Sequence, residues 1–157
     1  MKDTLIIGIG SILRGDDGVG SRVIDELEKR CLPENVALER GDLSGLDLLK
    51  YFPKFEKVII IDAADMKEKP GTIKVFSLKD IKNNAFKDAV STHGMALPET
   101  LALSERLDIK SDIKVVGIQP EDVSFSLNLT DRIGERIPAV VDLITEIIGT
   151  KPVTTKI

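Results

Sequence analysis

The sequence predicts an α/β fold: a three-layer α/β/α sandwich around a mostly parallel, mixed sheet of about five strands. An apolar run at residues 4–8 ends in a glycine-rich turn and leads into a helical pattern, which is how such a sheet begins. Residues 58–61 are four consecutive β-branched residues, a pattern typical of a central strand that is buried on both faces. Helical segments separate most of the strands, so most neighbouring strands are expected to be parallel.

The first third of the chain is expected to form a strand, a helix and a second strand. The first strand covers residues 4–8, and Gly8 and Gly10 allow the backbone to turn directly after it. A helix is predicted over residues 17–30, because apolar residues recur there at helical spacing. The residues of this apolar face are Val19, Val23, Ile24 and Leu27. The second strand is predicted at residues 36–39.

The middle of the chain contains one strand whose direction is expected to differ. A short helix at residues 46–51 precedes the third strand, residues 58–62, after which Pro70-Gly71 indicates a turn. The fourth strand, residues 72–76, follows too closely for a helical crossover. This short link favours an antiparallel pair between the third and fourth strands.

The C-terminal elements complete a single domain. A helix is predicted over residues 98–107, a fifth strand over residues 113–117 and an amphipathic helix over residues 131–148. We expect residues 1–150 to form one domain and residues 151–157 to be a loose tail.

Charge and composition exclude several classes of protein. A net charge of −4 argues against nucleic acid or an anionic membrane as the main partner. No apolar run approaches the roughly 20 residues that span a bilayer, so membrane insertion is not expected. The single cysteine, Cys31, excludes an internal disulfide and a cysteine-based metal cage, and it fits a reducing cytoplasm.

The glycine turn after the first strand resembles a dinucleotide-binding motif only in part. Gly8-Ile9-Gly10 opens like GxGxxG, but Leu13 occupies the third glycine position. Asp16 and Asp17 then stand where a pyrophosphate would require backbone N–H groups and no anions. We therefore reject a dinucleotide site.

Polar side chains follow the first and third predicted strands. Asp16 and Asp17 come after the first strand, Asp62 ends the third, and His93, the single histidine, lies in a polar loop. Because the carboxyl ends of parallel strands meet at one edge of a sheet, these groups are expected to converge there. Each also has a structural explanation, since paired aspartates commonly cap a helix and a lone histidine is commonly exposed.

Convergence of these groups would favour a metal site. Asp17, Asp62 and His93 offer two oxygen ligands and one nitrogen ligand, a set that suits a borderline divalent ion such as Ni²⁺ or Zn²⁺. Three protein ligands leave coordination positions open, as in working metal sites. Alternatively, Asp17 and Asp62 could act on water as an acid–base pair.

A magnesium-dependent receiver domain is a weaker alternative. Receivers also place two acids after the first strand and one after the third. In this chain the first pair comes late, beyond a glycine loop, and Gly117-Ile118-Gln119-Pro120 stands where a receiver requires lysine.

Motifs in four regions of the chain together resemble those of the hydrogenase maturation endopeptidases. This family trims the C-terminal extension from the large subunit of [NiFe] hydrogenases. The matching motifs are Gly8-Ile9-Gly10-Ser11 with Asp16-Asp17-Gly18-Val19-Gly20, Asp62-Ala63 with Pro70-Gly71, Ser91-Thr92-His93, and Gly117-Ile118-Gln119-Pro120. The chain departs from the family pattern at Ser11, where many members have Asn, and at Gly41-Asp42, where relatives often have Gly-Gly.

The resemblance implies an activity and a partner. Asp17, Asp62 and His93 match the family's nickel ligands, and Asp17 is the candidate general base. The implied substrate is the precursor of the [NiFe] hydrogenase large subunit, in which cysteines already hold nickel. The endopeptidase would complete the coordination of this nickel and then cleave, and its open site would also accept other divalent ions in vitro.

Further residues of the matched motifs are expected to contact the substrate. They are Gly15, Asp16, Gly41, Thr92 and Gln119. The alternative function from another class is a checkpoint or chaperone that binds the nickel-loaded precursor without cutting it.

Overall fold

The computed structural model describes residues 2–43, 45–82, 90–91 and 97–149, which contribute six strands to the sheet. The strands are β1 (Thr4–Ile9), β2 (Val36–Gly41), β3 (Lys57–Asp65), β4 (Ile73–Ser77), β5 (Val90–Ser91) and β6 (Asp112–Ile118). Five of them form the path β2-β1-β3-β6-β4, and β5 pairs with β3 outside this path. Strands β2, β1, β3 and β6 are parallel, whereas β4 is antiparallel to β6. The predicted mixed, mostly parallel sheet is confirmed.

Helices cover both faces of this sheet. They are α1 (Val19–Glu28), α2 (Gly45–Leu49), α3 (Leu78–Lys82), α4 (Leu97–Arg106), α5 (Asp131–Gly134) and α6 (Ile137–Ile147). The apolar face of α1 packs with α6 against one side of the sheet. Leu48 of α2 and Leu101 of α4 pack against the other side. Each fully buried side chain of this size contributes roughly 1.5–3 kcal/mol to folding, so both helical layers hold the sheet in place.

The fourth strand has a different neighbour from the one expected. Its reversed direction agrees with the prediction, but the predicted pairing with the third strand is wrong, because β6 lies between β3 and β4. The side chains of β3 are buried from Val58 to Ala64, so this strand needs a covered position within the sheet. In β4, Lys74 and Val75 are exposed, which suits an edge.

The sequence predicted that Asp62 is the last residue of the third strand. In the structure Asp62 lies within β3, three residues before its end. Strand β3 continues to Asp65 because it has partners along this extension. Asp62 and Ala63 pair with β6, and Ala64 and Asp65 pair with β5. Strand β5 is only two residues long, too short to show a periodic pattern in the sequence.

The predicted helix over residues 131–148 is divided into α5 and α6. Pro138 lies in the first turn of α6, where the missing N–H costs nothing. In one continuous helix this proline would lack an internal hydrogen bond and clash with the preceding turn. The predicted helix over residues 17–30 likewise begins later, because Gly15–Gly18 forms a 3-10 turn before α1.

Two findings bear on other expectations from composition. None of the helices in the described ranges is long and apolar enough to cross a membrane. Cys31 is exposed and carries a free thiol. The predicted tail, residues 151–157, lies outside the described residues.

Candidate active site

The loop after β1 folds back on itself and holds Asp17. Gly10 has a φ of +122°, and a Cβ atom at this position would lie 2.1 Å from the carbonyl oxygen of Asp17. The backbone can therefore pass this point only as glycine. The Ser11 N–H donates a hydrogen bond to Oδ2 of Asp17 at 2.8 Å. Asp17 is fully buried, so its carboxylate is held in one orientation by the loop.

Asp62 lies at the same edge of the sheet as this loop. Strands β1 and β3 are adjacent and parallel, and Gly8 pairs with Ile61, the residue before Asp62. The 3-10 turn that carries Asp17 contacts β3. Asp62 is only 1% exposed, and strand alternation places it on the side of Ile60, which faces α2 and α4. Strands β1 and β3 are thus neighbours, as the convergence expected for Asp17 and Asp62 requires.

The third predicted ligand cannot be placed. His93 and Thr92 lie outside the described residues. Within the described part of the chain, no group of three or more histidine, cysteine, aspartate or glutamate side chains could hold a metal ion. The three-residue nickel site therefore stays a prediction, of which the structure describes two members, Asp17 and Asp62.

Asp16 has different surroundings from Asp17. Its carboxylate accepts hydrogen bonds from the N–H groups of Glu121, Asp122 and Thr130 at 2.8–3.0 Å, and also from the Thr130 hydroxyl. Its own N–H donates to the carbonyl of Asp122. Asp16 is fully buried, so any influence on a substrate passes through the loop at residues 121–130. We call this set of hydrogen bonds the Asp16 clamp.

Gly15 takes part in the same contact between loops. Its N–H donates to the carbonyl of Ser126, and a Cβ atom on Gly15 would lie 2.7 Å from the carbonyl oxygen of Asp122. The partners of Asp16 lie 105 to 114 residues further along the chain. No local pattern in the sequence indicates so distant a contact, and the sequence therefore did not predict that the loop at residues 121–130 binds Asp16.

Gln119, another predicted substrate contact, holds the loop that follows β3. Its Oε1 accepts hydrogen bonds from the N–H groups of Met66 at 2.6 Å and Glu68 at 3.4 Å. Its Nε2 donates to Oδ1 of Asp65 at 3.3 Å. Gln119 is 7% exposed, so its side chain serves chiefly to connect β6 with this loop.

The carboxylate of Asp65 is stabilised in its ionised form. The backbone N–H and the ammonium of Lys67 lower the pKa of Asp65 below its ordinary value, and the hydrogen bond from Gln119 adds a smaller effect in the same direction. Asp65, the last residue of β3, is therefore ionised at neutral pH.

A cleft of about 450 Å³ adjoins the loop that carries Asp17. It lies between residues 10–13, the start of α1 and the end of β2, and Gly41 is among its lining residues. Arg40, on the same wall, forms ion pairs with Asp25 at 2.9 Å and Glu28 at 2.6 Å. A second cleft, of about 510 Å³, lies at the opposite edge of the sheet and contains none of the predicted site residues.

Comparison with known proteins places this architecture among proteases. The HycI family model, described as a hydrogenase maturation protease, matches residues 21–147. A Methanocaldococcus jannaschii protein, provisionally classed as a hydrogenase maturation protease, is 32% identical over 149 residues, covering 94% of each chain.

Solved structures agree with these sequence matches. The hydrogenase maturating endopeptidase HybD of Escherichia coli superposes with a TM-score of 0.81 at 26% identity, over 93% of this chain and 91% of that one. The [NiFe] hydrogenase maturation protease HycI of Thermococcus kodakarensis superposes with a TM-score of 0.73 at 26% identity, over 94% and 92% of the two chains.

Proposed function

Because this chain belongs to the hydrogenase maturation protease family, we propose that it cleaves a C-terminal extension from the large-subunit precursor of a [NiFe] hydrogenase. Membership of this family makes the chain a hydrolase with a role in hydrogenase maturation. The observation that carries the finer proposal is the position of Asp17 and Asp62, two buried carboxylates at one edge of the sheet.

The proposed recognition element is nickel that the precursor already holds. Asp17, Asp62 and His93 would supply oxygen and nitrogen ligands to this ion, while thiolates of the precursor supply the others. Two carboxylates and an imidazole form a ligand set that suits a borderline divalent ion. Other divalent ions would therefore also bind the open site in vitro.

The chain path supports a place for His93 in this set. Strand β5 is antiparallel to β3, with Ser91 opposite Ala64. Because the two strands are antiparallel, β5 runs in the direction that leads from Ala64 back to Asp62 along β3. His93 follows Ser91 by two residues, and two residues of extended chain span at most about 7 Å. We therefore propose that the His93 imidazole lies beside Asp62.

The proposed chemistry divides the work between nickel and the chain. The ion would act as a Lewis acid on the scissile carbonyl or on a water molecule. Asp17 is the candidate general base and would accept the proton of the attacking water. The hydrogen bond from the Ser11 N–H holds the Asp17 carboxylate in place for this transfer.

The other predicted substrate contacts are assigned proposed roles from where they lie relative to the Asp17 loop. The cleft lined by Gly41 adjoins the Asp17 loop and would receive the precursor chain on one side of the scissile bond. Gly15, Asp16 and Gln119 would act by holding the loops around it, and Thr92 would contact the substrate from the segment of His93. We propose that the reaction takes place in the cytoplasm, where Cys31 and the precursor's metal-binding cysteines would remain reduced.

A processing assay tests this proposal. The protein is mixed, below one equivalent, with nickel-loaded or nickel-free precursor, and the precursor mass is measured. We expect a C-terminal peptide to be lost only from the nickel-loaded sample. Asp17→Asn should abolish this loss, whereas Asp142→Asn, at an exposed position of α6, should not. A stoichiometric complex without any cleavage by the wild type would contradict the proposal.

A second variant tests the nickel ligand. His93→Ala should abolish nickel-dependent binding of the precursor while leaving the thermal midpoint nearly unchanged. A large loss of thermal stability would instead assign His93 a structural role.

A further inference from the structure

We infer that an exposed apolar patch, formed by Ile12, Leu13, Phe125 and Leu127, docks an apolar segment of the hydrogenase precursor beside the scissile bond. This inference rests on the proposed function, because it assigns the same substrate to a second surface. We call these four residues the apolar patch.

All four side chains of the apolar patch are large and apolar, yet about half or more of each is exposed to solvent. Ile12 is 53% exposed, Leu13 49%, Phe125 81% and Leu127 59%. Single exposed apolar residues are common on protein surfaces, but contiguous groups of large ones mark sites of interaction.

Backbone register places the patch residues side by side. Arg14 and Ser126 form a parallel bridge between the two loops. The Ser126 N–H donates to the carbonyl of Leu13, and the Gly15 N–H donates to the carbonyl of Ser126. These contacts bring the backbone of Leu13 next to that of Ser126, so Leu13 lies close to both Phe125 and Leu127 along the chain. The exposed apolar residues of the two loops are therefore close to one another.

The patch is held rigidly. The Asp16 clamp joins the two loops through the N–H groups of Glu121, Asp122 and Thr130. Arg22 of α1 donates a further hydrogen bond to the carbonyl of Leu127 at 2.9 Å. A preorganised apolar surface loses little entropy on binding, as a docking surface requires.

The position of the patch identifies its occupant. Leu13 precedes Asp17 by four residues in the same loop, and Ile12 and Leu13 also line the cleft beside Gly41. A stable protein–protein contact buries roughly 800 Å² on each partner. A protein that presents its scissile bond to Asp17 must therefore cover adjoining surface, and this patch is the apolar part of it. A second copy of this chain on the patch would obstruct the approach to the site.

A matched pair of substitutions tests the inference. Leu127→Ser removes a patch side chain, and Leu107→Ser is the control, because both leucines are 59% exposed. Leu107 lies between α4 and β6, where β6 begins, and therefore at the edge of the sheet opposite the site. Kd for the nickel-loaded precursor is measured for each variant by titration. We expect Leu127→Ser to raise Kd about tenfold, as loss of a buried leucine contact predicts, and Leu107→Ser to leave it within about twofold.

The outcomes separate this inference from the proposed function. Cleavage by the wild type, with equal Kd values for the two variants, would overturn the docking surface and leave the protease assignment intact. Binding that Leu127→Ser weakens, without cleavage by the wild type, would support the docking surface and overturn the cleavage. If the wild type neither binds nor cleaves, both fail. Sedimentation of each protein tests self-association. If the wild type is a dimer that only Leu127→Ser dissociates, and the Kd for the precursor is unchanged, the patch binds a second copy of the chain and the inference is overturned.

Discussion

At the scale of single residues, Asp16 and Asp17 show that adjacent carboxylates can have different surroundings. Both are fully buried. The hydrogen bonds of the Asp16 carboxylate run to a distant loop, whereas Asp17 accepts a hydrogen bond from Ser11 in its own loop. Asp16 therefore holds two loops of the site together, and Asp17 is the residue for which we propose a role in the chemistry.

Asp16→Asn should lower the free energy of unfolding by about 2–4 kcal/mol. The substitution replaces one acceptor oxygen with an N–H₂ group that faces backbone N–H donors. The buried donors then lose hydrogen bonds to a charged acceptor, and such losses reduce the free energy of unfolding by about this amount. Urea denaturation measures the change. The control is Asp122→Asn, because Asp122 is exposed and its side chain accepts a hydrogen bond from the nearby Ser124 N–H. Equal losses in the two variants would contradict the clamp.

At the scale of elements, α1 and β1 approach each other through two glycines. A Cβ atom on Gly8 would lie 2.3 Å from the carbonyl oxygen of Gly20. A Cβ atom on Gly20 would lie 2.7 Å from the carbonyl oxygen of Ile61 and 2.9 Å from that of Ile9. Because these neighbours are backbone atoms, they cannot move aside as a side chain can. The close approach brings the start of α1, and the turn before it, against the edge of β3.

Gly20→Ala should therefore destabilise the fold by about 1–3 kcal/mol, as overpacking does. Gly134→Ala is the matched control, since Gly134 is also helical and a Cβ atom there meets nothing within 4 Å. This control should stabilise the protein by about 0.5–1 kcal/mol, because alanine loses less backbone entropy than glycine on folding. Thermal melts compare the two, and a neutral Gly20→Ala would show that α1 can shift away from the sheet.

At the scale of the whole molecule, the sheet has a protected centre and two less protected edges. All six residues of β1 are buried, and β3 is buried from Val58 to Ala64. The edge strands β2 and β4 each contain exposed residues. The site lies at the carboxyl ends of β1 and β3, so it is built on the most deeply buried strands.

Hydrogen exchange should reproduce this order. Amides of β1, β3 and the buried end of β6 should exchange only through global unfolding, whereas those of β2 and β4 should exchange through smaller openings and therefore faster. Native-state exchange followed by NMR measures the protection of each amide. Protection of β4 equal to that of β3 would indicate that the sheet opens as one unit.

Much of the fold could be predicted because it is encoded in local periodicity. The unbroken apolar run at residues 58–61 predicted a central strand, and β3 is central. The helical spacing of Val23 and Leu27 predicted the buried face of α1. These patterns follow from side-chain geometry within one strand or one helix. The rule that the carboxyl ends of parallel strands share one edge predicted that Asp17 and Asp62 lie at the same edge of the sheet, and the pairing of β1 with β3 brings their strands together.

The sequence by itself therefore determined most of the elements, the mixed sheet, the edge that carries the acids and the resemblance to maturation endopeptidases. Only the tertiary structure decided that β6 separates β3 from β4, that Asp16 binds a loop more than 100 residues away, and that Leu13 lies close to Phe125. The physical reason is the distance along the chain over which each feature is determined. Periodicity reports which face of an element is buried, whereas a strand's neighbour and a carboxylate's donors depend on how distant segments pack.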